Sequence, residues 1–382
     1  MKKIIIISGT RADYGIYKPV AQQLIADNWD VSFLMSGMHL VKEHGYSKNV
    51  IKEDSFKTIG EVQSLFLENS KGNMARSVSL EIAGFTDVLE RENPDFVLLL
   101  GDRGEMLAAA ISCLYLGIKT AHLHGGEVSG TVDESIRHAI TKLASIHFCA
   151  TNQSKNRIIK MGENPWRVFE VGAPRIDSII HEELPSFQSI KNKYSWSIEK
   201  KSYILLVFHP VVTEIENIEY QVSELIDGVK NVGLPILCIL PNGDAGGDII
   251  RSVYIEKNIN NIYFIQNLTP EEYLTVLKEC SFMIGNSSSG IIEAASFSIP
   301  VINIGSRQLG RERSGNIIDV EPSSSEILQA ISKIQSKDFQ EKVKNTVNVY
   351  GSGNTSEQVV EILNSILNEK ESLKWIQKRI AY

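Results

Sequence analysis

Short runs of apolar and β-branched residues recur along the chain, each closed by glycine or polar turn residues and followed by a stretch of helical periodicity. In the first half they are Ile4–Ser8, Val31–Ser36, Phe96–Leu100, Thr120–His124, Ile146–Ala150 and Val168–Val171. In the second half they are Ile204–Phe208, Ile236–Leu240, Ile262–Gln266, Phe282–Gly285, Val301–Ile304 and Ile317–Val320. Most are apolar without alternation, the mark of strands buried on both faces, and strands alternating with helices predict parallel sheets covered on both sides. The expected fold class is therefore α/β, with two Rossmann-like, doubly wound domains facing across a cleft. Gly172-Ala173-Pro174 and the polar stretch His181–Lys201 cluster the residues that break regular structure. They divide the chain into an N-terminal domain over 1–175 and a C-terminal, nucleotide-binding domain over 176–361. The final amphipathic segment, Ser356–Ala381, is long enough to reach back, so 362–382 is expected to rejoin the first domain. No sequence repeat marks a solenoid.

Composition fits this division. A chain of 382 residues is too long for one small domain, since a typical domain has about 150. With 39 Lys plus Arg against 46 Asp plus Glu the net charge is −7, and no basic run interrupts it. A nucleic-acid partner is not expected, because duplex affinity comes mostly from clustered cations. The chain is 43% apolar and 22% charged, near the average of globular proteins and far from disordered ones. Lys2 and Lys3 precede only a short isoleucine run, where a signal peptide needs about 7–15 apolar residues. That run reads as a first strand. No stretch approaches the ~20 apolar residues of a membrane span. Cys113, Cys149, Cys238 and Cys280 are widely separated and form no Cys-x-x-Cys pair, so free thiols in a reducing cytoplasm are expected.

Ligands of open α/β sheets bind beyond the carboxyl ends of the strands, and the chemically interesting residues fall there. Arg11 and Asp13 follow the first strand; Asp102 and Arg103 follow Phe96–Leu100; His124 and Glu127 end and follow Thr120–His124. In the second half His209 follows Ile204–Phe208, Asn242 and Asp244 follow Ile236–Leu240, Asn286-Ser287-Ser288-Ser289-Gly290 follows Phe282–Gly285, and Arg307 follows Val301–Ile304. Each has a structural reading as well. Gly9 to Gly15 is either an ordinary βα turn or a ligand loop, but it lacks a full Gly-x-Gly-x-x-Gly nicotinamide fingerprint. The serines are natural caps for a helix over Ile291–Phe297, yet three serines plus glycine exceed what one cap uses and would cradle a phosphate. Glu293 is favourable in that helix's first turn by dipole alone, or grips ribose hydroxyls. Arg307, with Arg311 and Arg313 near, is a solvated loop or a source of cations for a diphosphate. Thr131-Val132-Asp133-Glu134 fits a capping box, which makes Glu134 structural and leaves Asp133 presented after the polar loop. Arg137 and His138 face either solvent or the cleft. His122 and His124, two apart on a strand and so on one face, would suit a metal-dependent amidohydrolase, but the second half offers only His209 and the pattern is of two open sheets.

The motifs Gly9-Thr10-Arg11-Ala12-Asp13-Tyr14, Gly101-Asp102-Arg103, Gly125-Gly126-Glu127-Val128-Ser129-Gly130-Thr131-Val132-Asp133, Phe208-His209-Pro210, Pro241-Asn242, Gly285-Asn286-Ser287-Ser288 and Gly305-Ser306-Arg307-Gln308 together resemble the hydrolysing UDP-N-acetylglucosamine 2-epimerases of bacterial sialic and related nonulosonic acid synthesis. The epimerase half of the animal bifunctional enzyme is similar. The resemblance covers nearly the whole chain and implies a glycosyltransferase-B-type fold, a UDP-sugar ligand, no metal or nicotinamide cofactor, and a homo-oligomer, a dimer or dimer of dimers. The implied reaction converts UDP-N-acetylglucosamine and water to N-acetylmannosamine and UDP, by elimination to 2-acetamidoglucal and then hydration. By the same resemblance Asp102, Asp133 and His209 are acid/base candidates; Arg11, Arg103, Ser287, Ser288, Ser289, Gly290, Glu293 and Arg307 would hold UDP, with Asn242 on the nucleotide side.

Many relatives have Glu where this chain has His124, so His124 or Glu127 is expected to take over part of the proton transfer. Relatives acting on UDP-2,4-diacetamido-2,4,6-trideoxyglucose, on the way to legionaminic acid, make that sugar the alternative substrate. In other classes the alternatives are a UDP-sugar glycosyltransferase of the same fold and a non-catalytic UDP-sugar-binding regulator.

Overall fold

A computed structural model describes residues 2–41, 47–66, 71–128, 132–241, 246–257, 261–266, 268–369 and 373–381. By its internal contacts the chain divides into two units, the first made of residues 1–180 and 350–382 and the second of 181–349. The sequence boundaries stand at 175/176 and 361/362. Each unit is built on a parallel sheet with helices between successive strands, except the last two strands of the second sheet, which a loop over 305–316 joins.

The first sheet contains β1 (Lys3–Ser8), β2 (Asp30–Ser36), β3 (Lys57–Val62), β4 (Phe96–Leu100), β5 (Lys119–Leu123), β6 (Ile146–Cys149) and β7 (Val168–Glu170), in the order β3-β2-β1-β4-β5-β6-β7. The second contains β8 (Ile204–Val207), β9 (Ile236–Ile239), β10 (Ile262–Ile265), β11 (Phe282–Gly285), β12 (Val301–Ile304) and β13 (Ile317–Val320), in the order β10-β9-β8-β11-β12-β13. In both, the order reverses once, between β1 and β4 and between β8 and β11. A ligand of a doubly wound sheet sits at that reversal.

The unalternating runs are explained by the two cores flanking each sheet. In β1, Ile4 and Ile6 enter one cluster with Val31, Phe33 and Leu98, while Ile5 and Ile7 enter the opposite one with Leu34, Val97 and Met106. In β8, Ile204 and Leu206 face one side and Leu205 and Val207 the other. β3 is absent from the sequence reading because it is an edge strand: it pairs only with β2, and Lys57, Thr58, Gly60 and Glu61 carry little apolar surface.

One close approach shapes the second sheet's reversal. At Gly285, φ is +136° and a Cβ would lie 2.0 Å from the Val207 carbonyl oxygen. Only glycine lets the end of β11 come this near β8.

The closing segment of the chain packs within the first unit. Helix Thr355–Leu367 lies on helix Arg11–Ala26, and the Asp177 carboxylate accepts from Thr355 N at 3.0 Å and Ser356 N at 2.6 Å, satisfying its first turn. Beyond it, main-chain oxygens of Lys374, Trp375 and Gln377 accept from the buried guanidinium of Arg167. Lys378 Nζ donates to Thr141 O at 2.8 Å and Ala144 O at 2.7 Å, at the end of helix Val132–Leu143.

Candidate active site

The residues singled out in the sequence form two groups, one on each unit. On the first unit they start at β1, where Thr10 and Asp13 make a capping box. Thr10 Oγ1 accepts from Asp13 N at 3.2 Å, and the Asp13 carboxylate accepts from Thr10 N at 2.9 Å and Gly9 N at 3.2 Å. The glycine motif is thus in part a helix cap, which leaves Arg11 exposed at the helix's first position. Burial raises the Asp13 carboxyl above its ordinary value, against the pull of Arg103.

Beyond β4, Asp102 forms an ion pair with Arg137 of helix Val132–Leu143. Arg137 is 5% exposed, and its second arm donates to the His124 carbonyl at 2.6 Å. Arg103 turns instead to Glu105, which accepts from it at 3.2 Å, and its charge is further supported by Asp13 and Asp133. Glu105 is itself buried, so Arg103 stands as the counter-ion of a carboxylate cluster rather than as a free cation. Asp133 is exposed in the first turn of its helix. The capping box expected from Thr131 cannot be placed, since residues 129–131 lie outside the described ones; Glu134 faces His138 Nε2 at 3.7 Å.

The expectation that His122 and His124 share one strand face is corrected. β5 ends at Leu123, and His124 opens the following turn with φ +59°. His122 is fully buried and its Nε2 donates to the Gly101 carbonyl at 2.7 Å; burial lowers its pKa to about 3, which keeps the ring neutral. His124 Nδ1 meets Glu127 Oε1 at 2.6 Å. Among the described residues no group of three or more His, Cys, Asp and Glu is arranged to hold a metal ion.

On the second unit, His209 follows β8 and is half-buried. Its main-chain N–H donates to Asn286 Oδ1 at 2.7 Å, and its carbonyl accepts from Asn286 Nδ2 at 2.8 Å. The helix expected over Ile291–Phe297 is instead a short α-turn, Ser288–Ile292, followed by a 3-10 turn, Ala294–Phe297. Ser287 caps it, accepting from Ser289 N at 3.3 Å, and Ser289 Oγ donates to Glu293 Oε2 at 2.5 Å. Gly290 packs where a Cβ would lie 2.9 Å from Val301 Cγ1. Arg307 donates to the Asn286 carbonyl at 3.1 Å, as does Gln308 at 2.8 Å, which ties the cationic loop to the serine loop. Arg313 pairs with Asp319 at 3.1 Å. Asn242 lies outside the described residues.

Arg137, Glu105 and Asn286 are the residues that residue-by-residue reading left unassigned. Asn286 carries a signal, since it opens the serine loop; Glu105 lies two residues past Gly101-Asp102-Arg103, and Arg137 belongs to no motif.

The sequence model of the family described as UDP-N-acetylglucosamine 2-epimerase matches residues 22–364. The chain is 44% identical over 369 residues, 96% of either chain, to the hydrolysing UDP-N,N'-diacetylbacillosamine 2-epimerase of Legionella pneumophila. It is 34% identical over 348 residues, 89% of either chain, to the hydrolysing GDP/UDP-N,N'-diacetylbacillosamine 2-epimerase of Campylobacter jejuni. Among solved structures, UDP-GlcNAc 2-epimerase from Neisseria meningitidis bound to UDP-GlcNAc has the same fold, with a TM-score of 0.79 at 21% identity over 96% of this chain and 100% of that one.

Proposed function

The chain belongs to the UDP-N-acetylglucosamine 2-epimerase family, and from that premise we propose that it is the hydrolysing 2-epimerase of UDP-2,4-diacetamido-2,4,6-trideoxyglucose, releasing UDP with inversion at C2. The observation that carries the choice of sugar is the 44% identity, over 96% of both chains, to an enzyme named for diacetylbacillosamine, which is that same trideoxy sugar. UDP-N-acetylglucosamine, the first choice from the motifs, is the second reading; a relative named for it is 32% identical over 96% of both chains.

The chemistry sets the demands. The C2 proton has no neighbouring carbonyl to acidify it, so its removal must be coupled to departure of the diphosphate from C1. A proton acceptor near C2 and cations or N–H groups at the leaving diphosphate are both required. We assign the first demand to the group around Asp102, His124, Glu127 and Asp133, with His209 as an acid/base candidate on the second unit. The second falls to Ser287, Ser288, Ser289 and Arg307, with Glu293 on the ribose, and Arg11 and Asn242 in supporting places. Arg103, held by Glu105, shapes the field around Asp13 and Asp133 in this scheme. A cytoplasmic place fits the four buried free cysteines. Self-association fits the exposed Met74, Leu80, Leu114 and Tyr115 on the packed helices Lys71–Glu92 and Gly104–Leu116.

The test is a side-by-side assay of the two UDP-sugars in deuterated water with no acceptor added. The expected result is UDP release, fastest from the diacetamido sugar, with the freed 2-epimer labelled at C2. Faster turnover of UDP-N-acetylglucosamine would reverse the choice of sugar, and unlabelled product would rule out elimination. Release only when an acceptor is supplied would instead make the protein a glycosyltransferase.

A further inference from the structure

The turn after β5 fixes one imidazole so that a single nitrogen is left bare. His124 Nδ1 lies 2.6 Å from Glu127 Oε1, and the two side chains are 12% and 11% exposed. An ionised carboxylate only accepts hydrogen bonds, so Nδ1 is the donor and a neutral ring carries its lone pair on Nε2. Nε2 is buried and has no hydrogen-bond partner among the described residues.

The main chain beneath the ring is held from several sides. His124 N donates to Phe148 O at 3.1 Å and its carbonyl accepts from Arg137 at 2.6 Å. Two residues on, Gly126 has φ +75°, a Cβ there would lie 2.3 Å from Ser154 O, and its carbonyl accepts from Arg157 at 3.0 Å. The neighbouring carboxylate, Asp102, has its Oδ2 engaged by Arg137. On His124, by contrast, the Nε2 lone pair is fixed in direction and meets no hydrogen-bond donor among the described residues.

We propose that His124 Nε2 takes the proton from C2 in the elimination, with Glu127 as the positioning residue that holds the tautomer. In that step the C2–H bond breaks and its proton passes to Nε2. The electron pair left behind becomes the C1=C2 bond, and the C1–O bond breaks with its pair leaving on UDP. The imidazolium so formed is offset by the Glu127 carboxylate it faces. This rests on the hydrolysing 2-epimerase reading.

The test joins ring-nitrogen NMR of 15N-histidine protein to kinetics of UDP release. In the wild type the expected signature is a protonated Nδ1 and a bare Nε2 for His124. Glu127→Gln offers an amide N–H that favours the opposite tautomer, so its kcat is expected to fall about 10²–10⁴-fold, with KM and UDP affinity within about threefold. His124→Ala should be comparably slow and partly restored by added imidazole. A bare Nδ1 in the wild type, or Glu127→Gln turning over at the wild-type kcat, would overturn the assignment while leaving the epimerase reading intact. A wild type with the expected tautomer that releases no UDP from either sugar would overturn both.

Discussion

Asn286 grips His209 by both of its main-chain polar groups, accepting from the N–H at 2.7 Å and donating to the carbonyl at 2.8 Å. The two residues stand at the ends of adjacent strands β11 and β8, at the reversal of strand order. Because the Asn286 carbonyl also accepts from Arg307 and Gln308, this single residue ties a candidate acid/base group to a candidate diphosphate cation.

Asn286→Ala removes the two side-chain bonds at a site 1% exposed. A buried polar group left unsatisfied costs about 1–3 kcal/mol, so a loss of about 2–4 kcal/mol in urea unfolding is expected, with kcat falling further than UDP affinity. An unchanged unfolding midpoint would contradict it.

Arg137→Lys tests the bridge between Asp102 and the His124 carbonyl. A lysine presents one point charge and does not span two acceptors as a planar guanidinium does. The expected outcome is a kcat lowered about 10–100-fold, a cost of about 1.4–2.8 kcal/mol at the transition state, with KM little changed. A wild-type kcat from this variant would remove Arg137 from the machinery.

Glu81 makes stability depend on pH. It is 2% exposed, and burial, then the charge of Glu105, raises its carboxyl to about 7. An unfolded Glu titrates near 4.3, so between about pH 4.3 and 7 the folded form holds a proton that the unfolded form has lost. The stabilisation from this group is full below the lower value and is lost as pH rises through the upper one. Glu81→Gln, neutral throughout, should therefore melt near the wild type at about pH 5 and above it at about pH 8. A gap that stays constant across this range would show that Glu81 does not titrate there.

The closing segment is expected to be structural for the first unit. Arg167 is 2% exposed, donates to the carbonyls of Trp375 and Ser145 at 3.1 and 2.9 Å, and stacks on Trp166 at 4.3 Å. Arg167→Met leaves those carbonyls without their donor, and a loss of about 3–5 kcal/mol in urea unfolding follows from breaking such a buried charged network. Faster proteolysis after residue 369 should accompany it. A variant as stable and as protease-resistant as the wild type would show the segment to be merely apposed.

What could be read from the residues alone was whatever depends on local pattern. β1, β4 and β8 are legible because both faces are buried and the run is apolar, from end to end in β4 and β8 and over Ile4–Ile7 in β1. β3 is not, because an edge strand paired on one side needs neither an apolar run nor alternation. Within the site, the four residues from His124 to Glu127 are visible as a motif, but the tautomer depends on a left-handed turn that no periodicity reports. Arg137 is one polar position on an amphipathic helix, and which neighbour it meets is decided by sheet order. The serines after β11 show how one signal divides on folding: Ser287 caps, Ser289 holds Glu293, and Gly290 packs on Val301.

Gly285 has a consequence for how freely this sequence can drift. Gly101 is also left-handed, at φ +68°, but a Cβ there would meet nothing within 4 Å, so an asparagine is an affordable substitute. At position 285 the angle is +136° and the Val207 oxygen occupies the space any side chain would need. In a saturation library position 101 should accept a small vocabulary and position 285 a single letter. The point where β8 and β11 touch is thus a fixed coordinate, around which the serine loop and the Asn286 clasp are free to vary only in what they add.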